Sequence, residues 1–314
     1  MTHKTEIPTT GSNSATSASR SAPVQISQND SIETAASVIF DAALDHFVSS
    51  REIFLQTETV ESVHQMRVAL RRLRAAFGLF RGALSGPALG AAALRAKAIA
   101  TSLGEARNGD VFLELLATGP GAAEDAPDLA TLREAVRARR DAGYSTAGEI
   151  LRDATTTHFI EDLRRLVAAR DWSAEPGASE VGSVCDFARN ALSRLQKRAR
   201  RKSRNLATQT PESRHDVRIA LKKLRYAAEF FESLFGRRRT ARAYIRTLAA
   251  LQDGLGGFND LAAANQQIDL LHANDGALAL TAGYVRGWYA HAARASVDHV
   301  QDSEKKLKEL KPFW

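Results

Sequence analysis

The sequence predicts an all-α protein, and three observations carry that prediction. The chain has 314 residues, of which 44% are apolar and 25% charged, too long and too apolar for a disordered tail or a disulfide-stapled miniprotein. Glycine and proline number only 20 and 8, while Ala, Leu and Arg dominate, which favours helices over a β-sandwich. From Ser31 onward the apolar residues recur at helical spacing, with no strict alternation long enough to propose a strand.

In chain order, residues 1–30 are rich in Ser, Thr, Asn and Pro without apolar periodicity. Such a segment cannot offset its ordering entropy, so a disordered polar tail is expected. It has too little arginine and no amphipathic pattern for a transit peptide, and the positive-then-apolar pattern of a secretory signal is missing. The helices that follow are punctuated at residues 82–87, 104–109, 119–127, 172–177, 209–211, 236 and 254–257. Thr210 followed by Pro211 is a strong helix start, since the threonine oxygen accepts an orphan amide and proline suits the first turn. The most apolar region, residues 277–293, is interrupted by Arg286 and falls short of the roughly 18 apolar residues of a membrane span. The single cysteine, Cys185, excludes an internal disulfide and a thiolate metal cage, and suits a reducing cytoplasm.

The sequence also resembles itself. Residues 63–84 read VHQMRVALRRLRAAFGLFRGAL and residues 214–235 read RHDVRIALKKLRYAAEFFESLF. A shift of 151 places His64 on His215, Arg67 on Arg218, Arg71 on Lys222 and Arg74 on Arg225. LGEARNGD downstream of the first copy answers LGGFND downstream of the second. A repeat this long is no solenoid unit, so a duplicated helical bundle is expected, with repeats at 31–175 and 176–314.

In the first copy Val63, Met66, Leu70, Leu73, Phe77, Phe80 and Leu84 form one apolar stripe at helical spacing. His64, Arg67, Arg71 and Arg74 follow the same rhythm one residue later, a cationic ladder at the border of the core seam. His215, Arg218, Lys222 and Arg225 repeat it. The net charge of +7 conceals +7 over residues 63–107 and +14 over residues 187–246, so the remainder is acidic overall. Two focused cationic blocks point to an anionic partner. Arginine outnumbers lysine 33 to 10, and its planar fork suits phosphate oxygens. The competing reading is that these arginines cap carbonyls or pair with distant acids. Arg194, Lys197, Arg198, Arg201 and Arg204 extend the basic surface, Arg107 is within reach of it, and Asp110 is a candidate helix cap.

The paired segments VHQMRVALRRLR and RHDVRIALKKLR, with LGEARNGDV and the ending Lys311-Pro312-Phe313-Trp314, resemble the CHAD family, the conserved histidine α-helical domain. The resemblance covers about residues 31–314. It implies two four-helix bundles related by a pseudo-twofold axis, with a basic surface and pore that bind inorganic polyphosphate. By position His64, Arg67, Arg71, Arg74, His215, Arg218, Lys222 and Arg225 match its motif, and Arg107, Arg198, Arg201 and Arg204 are weaker transfers. Asn108 and Asn259 depart from an aspartate often expected there. The ExExK signature of the CYTH domain that some members carry is not matched, nor are HExxH, a P-loop or GxSxG.

The resulting expectation is a cytoplasmic, non-catalytic binder of inorganic polyphosphate, without cofactor or metal, found at polyphosphate granules or beside polyphosphate-metabolising proteins and not in a membrane. The alternatives are a nucleic-acid-binding helical protein, with nucleic acid otherwise a weaker competitor, and an accessory subunit of a polyphosphate-metabolising complex. A further expectation is that binding strengthens as the pH falls towards 6, because imidazoles head both ladders.

Overall fold

The computed structural model describes residues 24–174, 183–272, 276–295 and 297–314. Among these the regular secondary structure is helical, apart from one two-residue antiparallel pair in which Leu84 and Ser85 face Ala174 and Ser173. The helices follow from the caps. Ser31 opens α1 (Ile32–Thr57), its side-chain oxygen accepting from the Thr34 amide at 3.1 Å. Thr59 does the same for α2 (Val60–Phe80), and Pro87 begins α3 (Pro87–Ser102). After Leu103 the chain enters α4 (Gly104–Thr118), then α5 (Ala130–Arg152) and α6 (Ala154–Ala169). Ser183 and Asp186 form a reciprocal capping box on α7 (Val184–Lys202), and Thr210 with Pro211 starts α8 (Pro211–Phe230) as expected. The remaining helices are α9 (Arg238–Gly254), α10 (Gly256–His272), α11 (Ala279–Ala295) and α12 (Val297–Glu309). None among the described residues is long and apolar enough to cross a membrane.

Punctuation differs from expectation in two ways. Residues 104–109 are not a break: they form the first turns of α4. Gly109 is there for packing, since a Cβ at this position would lie 2.6 Å from Arg140 Cβ on α5, so only glycine lets the two helices approach this closely. Conversely, the breaks at Glu58–Thr59 and Asp153 carry no glycine or proline. Glu58 takes a left-handed conformation with φ 43°, and Asp153 Oδ1 accepts from the Thr155 amide at 2.7 Å.

The stripe read in α2 is the core seam: Val63, Met66, Leu70, Leu73, Phe77, Phe80 and Leu84 are all buried. Phe80 stacks on Phe187 of α7, with centroids 5.2 Å apart, and meets Phe40 of α1 and Phe231 edge-on. One hydrophobic cluster therefore unites α1, α2, α7 and α8. A second joins Phe112, Leu116, Leu132 and Val136 of α4 and α5 to Ala264, Ile268, Ala282, Val285 and Tyr289 of α10 and α11. The expected boundary at 175/176 lies outside the described residues, and each cluster draws on chain from both sides of it.

Two termini are tied down. Residues 24–30, assigned above to the disordered tail, instead pack: Val24 and Ile26 are buried, the Ile26 amide donates to Ser233 Oγ at 2.9 Å, and Gln28 donates to the Leu234 carbonyl. Residues 1–23 of that tail lie outside the described residues. At the other end Arg200 donates to the Leu307 and Leu310 carbonyls. Phe313 is buried between Phe235 and Tyr244, and Trp314 Nε1 donates to Ser193 Oγ at 3.0 Å.

Candidate anion-binding site

Because the apolar stripes of α2 and α8 are buried, the ladders beside them are held at fixed angles, and the two helices are in contact. Arg71 Nε donates to the hydroxyl of Tyr226 on α8 at 2.5 Å. Tyr226 lies one turn from Lys222 on the same helix face, so this bond brings the two ladders to one place.

The electrostatics agree with that geometry. Burial, then the charges of Arg218, Arg71, Arg225 and Arg67, push the Lys222 ammonium down to about 8. The proton affinity of Arg67 is lowered by burial and then by Arg71, Arg107 and Arg74. His64 is lowered chiefly by burial, then by Arg107, with Glu61 opposing and Arg71 and Arg67 adding to the effect. Five of the eight ladder residues (His64, Arg67, Arg71, Arg218 and Lys222), with Arg107 of α4, thus form one cationic cluster at the α2–α8 contact, the candidate cleft. Among the described residues Glu61 is the one acid acting on any of these three groups.

The first arginine of each ladder is also structural. Arg67 Nη1 donates to the Ala100 carbonyl in the last turn of α3 at 3.0 Å. Arg218 Nη1 donates to the Gln252 carbonyl near the end of α9 at 3.2 Å. Both place a cation on an orphan carbonyl at the negative end of a helix dipole, so the capping alternative holds for this pair.

Other predicted residues are placed differently. Arg225 is engaged by Glu229 of its own helix at 3.0 Å, and the same carboxylate pairs with Arg72 of α2. Arg225 therefore flanks the cleft with its charge largely compensated. Arg74 is exposed and turns towards a groove of about 370 Å³ between α2, α7 and α8, where it joins Arg194, Arg198 and Lys223 above a floor that includes Leu79, Leu195 and Phe230. Arg201 and Arg204 are exposed and do not line the groove. His215 is exposed in the second turn of α8, beside Asp216, and does not repeat the setting of His64. Asp110 does not cap a helix: buried inside α4, it accepts from Arg140 Nε at 2.7 Å and Tyr144 at 2.9 Å. The side chains of Asn259 and Asp260 lie outside the described residues.

Sequence reasoning missed Tyr226 and Glu229. Their signal was the spacing of four from Lys222 and Arg225, which puts each on the ladder face. It also missed His46 of α1, buried behind His64, whose Nε2 donates to Gln65 at 2.9 Å.

The family model described as CHAD domain matches residues 38–269. The chain belongs to the CHAD family. Among solved structures, this CHAD chain is similar to the CHAD domain from the plant Ricinus communis, at 28% identity and a TM-score of 0.76, over 91% of this chain and 96% of that one. It also shares the fold of PptA from Streptomyces chartreusis, at 16% identity and a TM-score of 0.61, over 89% and 100%. No curated protein matches the chain.

Proposed function

We propose that this CHAD chain binds inorganic polyphosphate without cleaving it, in the cytoplasm, through the cleft between α2 and α8. One observation carries the reading: the ammonium of Lys222 is destabilised by guanidinium groups of both helices at once. Folding has thus gathered like charges that repel one another, and a polyanion supplies the compensation. A linear anion passing Arg107, Arg67, Arg71 and Lys222 releases its condensed counterions, so affinity falls steeply with salt. The matched contacts of Arg67 and Arg218 support the expected duplication, and with it a site served by both repeats. The exposed groove cations Arg74, Arg194, Arg198 and Lys223 are placed for a longer chain to engage, which favours long polymers over triphosphate.

The test leaves the capping arginines alone. In the double variant Arg71→Gln/Lys222→Gln, calorimetry with polyphosphate of defined length should show affinity lower by about tenfold or more, with helicity intact. Unchanged affinity would refute the site. Absence of phosphate release with added magnesium or manganese checks the non-catalytic part.

A nucleic-acid partner fits the side chains less well. Modules that hold single strands offer exposed aromatic platforms, whereas Phe77, Phe80, Phe230 and Phe231 are buried in the core. Competition between polyphosphate and single-stranded DNA at equal phosphate concentration separates the two, and a pull-down that survives polyphosphatase treatment would favour an accessory subunit acting through protein contacts.

A further inference from the structure

We propose that Lys222 is a covalent modification site, acylated at Nζ by small acyl phosphates that the neighbouring guanidinium groups draw into the cleft. The recruitment step rests on the anion-binding reading of the cleft; the nucleophile itself does not.

Three features set Lys222 apart from other lysines. It sits mid-helix and half-buried, whereas Lys223 beside it is exposed. Among the described residues no carboxylate or carbonyl accepts a hydrogen bond from it, whereas Lys202 is held by Asp216 and Lys308 by Glu304. The charged groups acting on it are cations: Arg218 and Arg225 one turn to either side on α8, and Arg71 and Arg67 on α2. Of the other helices packed on α8, α9 contributes the Gln252 carbonyl already taken by Arg218. The cations of α7, Arg194 and Arg198, line the separate groove. No charged residue of α10 acts on Lys222 among the described residues.

These surroundings do two things for one reaction. They lower the ammonium to about 8, so roughly a tenth of the molecules carry a free amine at pH 7, against well under a thousandth for an ordinary lysine. They also offer Arg71 and Arg67 as donors for a phosphate dianion, which brings the carbonyl of an acyl phosphate to the amine. The neutral amine attacks that carbonyl carbon, a C–N bond forms, and the bond from carbon to the bridging phosphate oxygen breaks. Phosphate leaves and takes up the amine proton, giving an amide and hydrogenphosphate, with no change in oxidation state. The entering dianion itself raises the proton affinity of Lys222, so the rate climbs with pH through 8. The product has lost a cation at the centre of the cleft, which turns acylation into an off-switch for polyanion binding.

The full chain is incubated with acetyl phosphate at pH 7, 8 and 9, and acetylation of every lysine is followed by peptide mass spectrometry. Lys222 should react at least tenfold faster than Lys223, saturate with reagent, be protected by tripolyphosphate, and slow several-fold in Arg71→Gln while Lys223 does not change. Equal rates at Lys222 and Lys223, or a rate indifferent to Arg71→Gln, would overturn the proposal. The uncharged donor acetyl-N-hydroxysuccinimide separates the causes. Selective reaction with it but not with acetyl phosphate overturns recruitment and counts against the anion-binding cleft. Polyphosphate binding by calorimetry with no selective labelling overturns the modification site alone.

Discussion

Lys222 and His64 titrate on opposite sides of neutrality, which gives the cleft a pH profile of two steps. The Lys222 ammonium sits near 8 when the cleft is empty, and a bound polyanion restores its proton affinity. Affinity should therefore hold steady around pH 7 and fall as the pH rises through 8 towards the ordinary lysine value. Calorimetry at pH 7.0 and 9.5 at fixed ionic strength should show a loss of several-fold or more that Lys222→Gln abolishes. His64 lies below its ordinary value, so the strengthening expected near pH 6 is displaced to more acid conditions. Stability runs the other way. Between about 8 and the unfolded value near 10.4 the unfolded chain holds a proton on Lys222 that the folded chain does not, so the empty protein gains stability from this group as the pH rises. Lys222→Met should accordingly raise the melting temperature of the empty protein while weakening binding, and a lower melting temperature would contradict that account.

Among the helices, the two arginines that close α3 and α9 divide the ladders by role. Arg67→Ala or Arg218→Ala frees a helix-end carbonyl of a charge-assisted hydrogen bond, worth about 1.5–3 kcal/mol, and should lower the unfolding free energy by about that amount, read as a lower urea midpoint at unchanged m. Arg71→Gln, whose side chain bonds to the Tyr226 hydroxyl and lies near its ring but closes no helix end, should change the midpoint less. Equal effects would mean that the caps do not bear on stability. The same scale shows what is legible in a sequence. The stripe from Val63 to Leu84 was readable because burial of a helix face has a local period. The helix through Gly109 was not, because that glycine answers to Arg140 on another helix, and the breaks at Glu58–Thr59 and Asp153 show only as polar caps. The ladders were likewise local and legible. Their neutralisation was not: Glu229 serves Arg72 across the α2–α8 contact, and Glu105, the one acid in the first basic block, is drawn off to Arg139 at 2.8 Å.

For the molecule as a whole, the shared core decides how it unfolds. Phe80 touches rings of α1, α7 and the end of α8, and the second cluster binds α4 and α5 to α10 and α11, so neither half closes a core by itself. Unfolding followed by far-ultraviolet circular dichroism and by tryptophan fluorescence should give coincident transitions. Phe80→Ala should lower the whole transition by about 3–5 kcal/mol; separate transitions would mean that the halves are independent. The anchoring of the last residue offers something more practical. Trp314 is bonded to Ser193, and the next residue, Arg194, lines the groove. Should phosphates dock in that groove, the emission of this indole is expected to shift during a polyphosphate titration of a Trp172→Phe/Trp288→Phe background, so occupancy could be followed without attaching a dye.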